Sequence, residues 1–168
     1  MTRLRSGEMT KNDVLLALES VCDPEIPTIS VVDMGIITDV VVIDENNVRV
    51  AMTPTFVGCP AIDVMKNDVL QAVKGMGVEH VQVDVNFDVP WSTNLVTDKG
   101  RAALLKHGLA PPEPFDTLAL ELEVLNNVAC PYCGSRNTTL KSPFGPTLCR
   151  SLHYCNACLQ AFEGFKPV

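Results

Sequence analysis

The chain is short of several things, and each shortage narrows what it can be. None of its apolar runs reaches the ~18 residues that span a bilayer. Its opening stretch, MTRLRSGEMTKND, lacks the apolar centre of a signal peptide, so the expected compartment is the reducing cytoplasm, with no membrane attachment. There is no glycine-rich nucleotide loop and no other cofactor fingerprint. His80 and His107 have no Ser or Asp partner at a catalytic spacing, which leaves hydrolase chemistry without support. Basic residues are outnumbered, 13 to 20, and the net charge of −7 argues against nucleic acid, whose phosphates call for clustered Lys and Arg. Aromatics make up only 5%, yet hydrophobic residues reach 46%, ample for a core.

What is plentiful is local. Five of the seven cysteines lie between Cys130 and Cys158. From Cys130 onward Arg136, Lys141, Arg150 and Lys166 face one acid, Glu163, so a mildly basic tail follows an acidic body. At 168 residues the chain suits one ordinary domain plus a small module.

Thr10 can cap a helix, with Asp13 in its first turn and Val14, Leu15, Leu18 and Val21 at helical spacing. The two prolines of DPEIP end it. Residues 36–43 and 48–53 read as strands, joined through Asp44-Glu45-Asn46-Asn47 into an antiparallel hairpin. A helix over 60–76 is expected after TPTFVGCP, with proline tolerated in its first turn. Val81, Val83, Val85 and Phe87 alternate as a third strand, and a short helix over 97–106 leads into a proline-rich exit. Asp33 and Gly35 suit a turn. Thr53 and Thr55 are expected to hold their loop through hydroxyl bonds to backbone. Cys22 reads as structural at a helix end, and Trp91 as a cover for the core. The fold class expected is α+β, a small mixed or antiparallel sheet packed with helices, followed by a four-cysteine zinc-ribbon module. The boundaries read as 1–112 for the body, 113–128 for a connector and 129–168 for the ribbon. Within the connector Leu118, Leu120, Leu122 and Val124 alternate like a strand.

Cys130 and Cys133 form one CxxC pair, Cys155 and Cys158 another. The two-residue gap lets both sulfurs of a pair reach one ion, and Gly134 permits the tight turn after the first. Short strands at 138–140, 148–154 and 160–165 complete a ribbon layout. A module this small buries too little surface to fold unaided, so metal supplies much of its folding energy. Four thiolates suit zinc or an iron–sulfur cluster, and paired knuckles beside hairpins favour structural zinc. Cys149 belongs to neither pair. It reads as a small buried residue, or as an alternative ligand or transient thiol for metal handover. His153 is a further ligand candidate, although a surface position on a strand fits it better.

In the body, Cys59 of GCP directly precedes Pro60 near a helix start, where the dipole and free N–H groups would favour a thiolate and lower its pKa. The plain alternative is a half-buried cysteine packing the junction. Asp23 and Glu25 can bring carboxylates towards it, or cap and solvate their own loop.

DPEIPTISVVDMGII, AMTPTFVGCP and GRAALLKHGLAPP, in that order, resemble the domain shared by SufT-like proteins and cytosolic iron–sulfur targeting factors, over residues 10–112. Continued into a CPxCGS ribbon with a TxCR-x3-YC-x2-C ending, the whole chain resembles the PaaD family, accessory members of the phenylacetyl-CoA epoxidase gene set. Many members carry a further cysteine near the C-terminus, where this chain reads FKPV, so no metal role is expected there. The resemblance implies that Cys59 is the reactive thiol, with Asp23 and Glu25 nearby. It implies transient iron or an iron–sulfur cluster as cargo, a structural zinc ion in the ribbon, and the oxygenase and reductase components of the epoxidase as partners. A homodimer is left open. The expected function is a non-catalytic maturation factor for that complex's iron or iron–sulfur centre. The alternative is a bridging component of the complex with a purely structural zinc site.

Overall fold

The computed structural model describes residues 8–114 and 125–166. The strand expected around Leu118 to Val124 lies outside the described residues. Helix α1 (Lys11–Leu18) starts with a reciprocal cap: the Thr10 hydroxyl accepts from the Asp13 N–H, and Asp13 accepts from the Thr10 N–H. Two further helices, α2 (Ile62–Gly75) and α3 (Asp98–Lys106), follow the expected ones to within two residues.

Strands β1 (Ile37–Asp44), β2 (Asn47–Met52) and β3 (His80–Val85) form the first sheet in the order β1-β2-β3. The β1–β2 hairpin is antiparallel, its turn held by Asp44, which accepts from the Asn46 N–H and the Asn47 amide at 2.8 Å. β3 runs parallel to β2, because α2 carries the chain across between them. β2 buries Val48, Val50 and Met52 at alternate positions, and α2 lays Met65, Val69 and Val73, four residues apart, on the same core. The mixed sheet against helices is the α+β class expected.

The second sheet contains β4 (Leu109–Ala110), β5 (Thr138–Ser142), β6 (Arg150–Cys155) and β7 (Ala161–Phe165), in the order β4-β7-β6-β5. The three ribbon strands are antiparallel neighbours. β4 is a surprise. The sequence offered a proline-rich exit at LAPP, but Leu109 and Ala110 pair in parallel with Glu163 and Gly164 of β7. The hydrophobic interiors also meet: Phe165 of β7 belongs to the same buried cluster as Val50, Met65 and Trp91. A smaller cluster of Ala110, Cys130, Cys155 and Phe162 lies within the ribbon.

Three local readings change. Cys22 lies beyond α1 rather than at its end, in an isolated bridge to Ser30. Thr53 does not use its hydroxyl to hold the loop. Its N–H donates to the Ile36 carbonyl at 2.9 Å, while the hydroxyl is buried without a partner among the described residues. Asp33 does more than shape a turn: it accepts from the hydroxyls of Ser30 and Thr97, both at 2.8 Å, and lies 3.4 Å from Lys99. Those bonds tie α3 to the segment before β1. The approach is tight enough that a Cβ on Gly100 would stand 2.5 Å from the Asp33 carbonyl oxygen.

Candidate functional site

The ribbon's metal centre is assembled by two knuckles. Gly134, at φ +72°, turns the chain after the first pair, and its N–H donates to the Cys130 carbonyl. Leu159, at φ +59°, does the same after the second, donating to the Cys155 carbonyl. The sulfurs of Cys130, Cys133, Cys155 and Cys158 consequently lie within 4.8 Å of one another. Cys130 Sγ is 3.7 Å from Cys158 Sγ, and Cys133 Sγ is 3.6 Å from Cys155 Sγ. A tetrahedron of thiolates at the usual zinc–sulfur bond length has edges of about 3.8 Å, so the cluster already has the size of a zinc site. The thiols are electrostatically unequal. N–H groups of Cys158 and Ala157 bring Cys155 down to about 7, whereas burial and the neighbouring sulfurs push Cys158 up to about 12. Four thiolates side by side need a cation, and a zinc ion would fit this donor set and its size.

His153 stands outside this set and is not on the surface. Only 1% of it is exposed, because β6 turns Ser151, His153 and Cys155 inward at alternate positions. Its ring stacks on Phe162 at 5.2 Å and its Nε2 lies 2.8 Å from the Ser151 hydroxyl. Burial lowers its pKa, so it packs as a neutral imidazole.

Cys149 also stands apart from the four ligands. It precedes β6 and packs, half-buried, on the larger hydrophobic cluster, as Cys59 does. Its sulfur lies 3.1 Å from the Thr147 hydroxyl.

Cys59 sits in the loop between β2 and α2, after Gly58 at φ +85°. The expectation of a lowered thiol pKa is overturned. Burial is the largest influence and pushes the thiol up. The Ala61 N–H, donated to the sulfur, opposes it, but Asp23, Cys149 and Glu25 all add to the rise. The helix begins at Ile62, and the N–H that lowers the thiol is that of its cap residue, Ala61. Cys59 is therefore a protonated thiol at neutral pH. Of the two carboxylates, Asp23 serves its own loop, accepting from the N–H groups of Glu25 at 2.7 Å and Ile26 at 3.1 Å. Glu25 is exposed.

One participant escaped the sequence. Arg150 reaches from β6 to donate to the Glu25 carbonyl at 3.3 Å while pairing with Glu163 at 3.0 Å, fastening ribbon to body. Nothing in its local pattern distinguishes it from any basic strand residue.

Two family patterns match in tandem. Residues 11–85 match the iron–sulfur cluster assembly protein family, and 113–166 match the PaaD zinc beta ribbon domain. A protein of Escherichia coli strain K12, provisionally named as one of the subunits of 1,2-phenylacetyl-CoA epoxidase, is 34% identical over 94% of this chain and 93% of its own length. An Fe-S protein maturation auxiliary factor of Porphyromonas gingivalis is 35% identical over 56% of this chain and 90% of its own. A Bacillus anthracis domain of unknown function, DUF59, superposes with a TM-score of 0.52 at 30% identity, covering 56% of this chain and 90% of that one. With both halves matched in order, and a relative similar along nearly the whole length, the chain belongs to the PaaD family: an iron–sulfur assembly-type domain followed by a zinc beta ribbon.

Proposed function

We propose that this protein is a non-catalytic maturation factor for the iron or iron–sulfur centre of a phenylacetyl-CoA ring-epoxidizing complex. The observation that carries the reading is the division of its thiols. Four are gathered in a closed set of zinc size, which leaves Cys59 free of that set in the domain shared with the maturation factors. The ribbon's zinc holds the module together. Cys59 takes iron or a cluster as cargo and passes it to the oxygenase or reductase component. A groove of about 450 Å³ on the ribbon, lined in part by Tyr132, Lys141, Leu152 and Tyr154, offers a face for that component.

Production of the partner complex beside Cys59→Ala tests this. Assembled partners short of iron or cluster are expected. Fully loaded partners would sink the maturation role. The naming of the Escherichia coli relative among the epoxidase subunits favours a second reading, a bridging component with an inert Cys59. That reading expects full cofactor content and failed association instead.

A further inference from the structure

The groove of about 450 Å³ lies at the seam of body and ribbon. His107 and Gly108, at the end of α3, line it together with Tyr132, Lys141, Leu152 and Tyr154 of the ribbon. β6 turns Leu152 and Tyr154 away from the buried Ser151, His153 and Cys155, and Ala161 of β7 lies opposite Tyr154 in the register. Apolar surface is left in water here, with Leu152 37% and Tyr132 58% exposed. The charge of the groove is one-sided. Glu163, the acid of its lining, is already paired with Arg150. Lys141 has no carboxylate partner among the described residues, and its ammonium is held over the Tyr154 ring, 5.5 Å from the centroid. His107 adds a second basic side chain. This patch belongs to a chain whose net charge is −7.

We propose that this groove docks an acidic segment of a partner protein, which lays an apolar or aromatic side chain on Leu152 and Tyr132 and brings a carboxylate to Lys141. This rests on the reading of the groove as the face met by the oxygenase or reductase component, and states what on that component is recognised. Charge complementarity names the occupant. An unpaired ammonium beside two tyrosines steers a carboxylate and fixes its register, while the aromatic and aliphatic surfaces supply the buried area. The exposure of the lining points to a protein segment. A small molecule would stay partly in water in so open a groove, whereas a chain segment covers the floor and the polar rim together. Because α3 and the ribbon both contribute, the site exists only while the ribbon is docked on the body.

The test measures association of full-length, zinc-holding protein with the separately purified oxygenase and reductase components, at low and high ionic strength. One component should bind, more weakly as salt rises. Lys141→Glu should weaken binding at least about tenfold and flatten its salt dependence, and Leu152→Ala should weaken it with the salt dependence intact. Both positions are exposed, so each variant should keep the ribbon zinc and the wild-type melting transition. Lys74→Glu, the same charge change on α2 outside the groove, should bind as wild type does. A benzophenone side chain in place of Leu152 should crosslink to a stretch of the component rich in Asp and Glu. Failure of wild-type protein to bind either component overturns the proposal. So does wild-type affinity in Lys141→Glu, equal weakening by Lys74→Glu, or a crosslinked stretch without carboxylates. Self-association that Lys141→Glu abolishes also overturns it, the occupant then being a second copy. Weakened association in Lys141→Glu, beside partners fully loaded with Cys59→Ala, upholds the groove and removes the maturation role. Wild-type association in Lys141→Glu, beside partners starved by Cys59→Ala, does the reverse.

Discussion

Phe165, on the last strand of the ribbon, packs against Trp91 of the body with ring centroids 5.8 Å apart and planes tilted by 60°. The indole is itself anchored, its Nε1 donating to the Met34 carbonyl at 3.0 Å. Both side chains are nearly fully buried, 4% and 7% exposed. A ribbon side chain thus completes the core of the neighbouring unit, and the stability of one depends on the other.

Phe165→Ala should lower stability by roughly 3 kcal/mol, in the usual range for a truncated core aromatic. The loss should appear in the body's unfolding transition although the zinc content stays at one per chain. Denaturant melts monitored by Trp91 fluorescence, with metal analysis alongside, would check both.

Cys130→Ser or Cys158→Ser should release the ribbon metal, because a closed four-thiolate site needs every ligand. The sequence suggests a body with a separate core that survives this loss. The shared position of Phe165 and the β4–β7 pairing change that expectation. The body should remain folded but melt at a lower temperature, and an unshifted body transition would show that the seam contributes little.

Cys59 should alkylate slowly at neutral pH. Its thiol is raised above the ordinary value of 9.0, so the thiolate fraction, and with it the rate, should climb about tenfold per pH unit through and beyond pH 9. A rate that levels off near pH 7 would show an activated thiolate. Removing the negative neighbour with Glu25→Gln should shift the profile towards lower pH.

Asp33 should make the protein acid-sensitive. Burial alone would raise its carboxyl, but the Thr97 and Ser30 hydroxyls and the Lys99 charge outweigh that and hold it below 3.8. A carboxylate with a depressed folded-state pKa contributes stability that is present above its unfolded value and lost as pH falls through the folded one. Stability should therefore decline below about pH 4. Asp33→Asn should cost about 2 kcal/mol at pH 7, as expected for hydrogen bonds to a charged group, and flatten that decline. Equal acid slopes in the two proteins would remove Asp33 as the cause.

Much of this molecule follows from local rules alone. The capping of α1 by Thr10, the β1–β2 hairpin turned on Asp44, and the two CxxC knuckles need only near neighbours in the chain, and each is legible in the sequence. The spacing of Cys130, Cys133, Cys155 and Cys158 carries its own geometry, since each pair is closed by one tight turn. Tertiary structure decided the rest, because the relevant neighbours are distant along the chain. Whether His153 faced solvent or the interior depended on which face of β6 was buried, and there it packs on Phe162 of β7. The raised pKa of Cys59 came first from burial, against which the Ala61 N–H works, with smaller additions from Asp23, Cys149 and Glu25. The packing of Cys149 on the hydrophobic cluster that also takes Cys59 required the ribbon to dock, through β4, Phe165 and Arg150, on that one face of the body. No periodicity or spacing encodes such a contact, which forms only when two separately patterned segments bury a common surface.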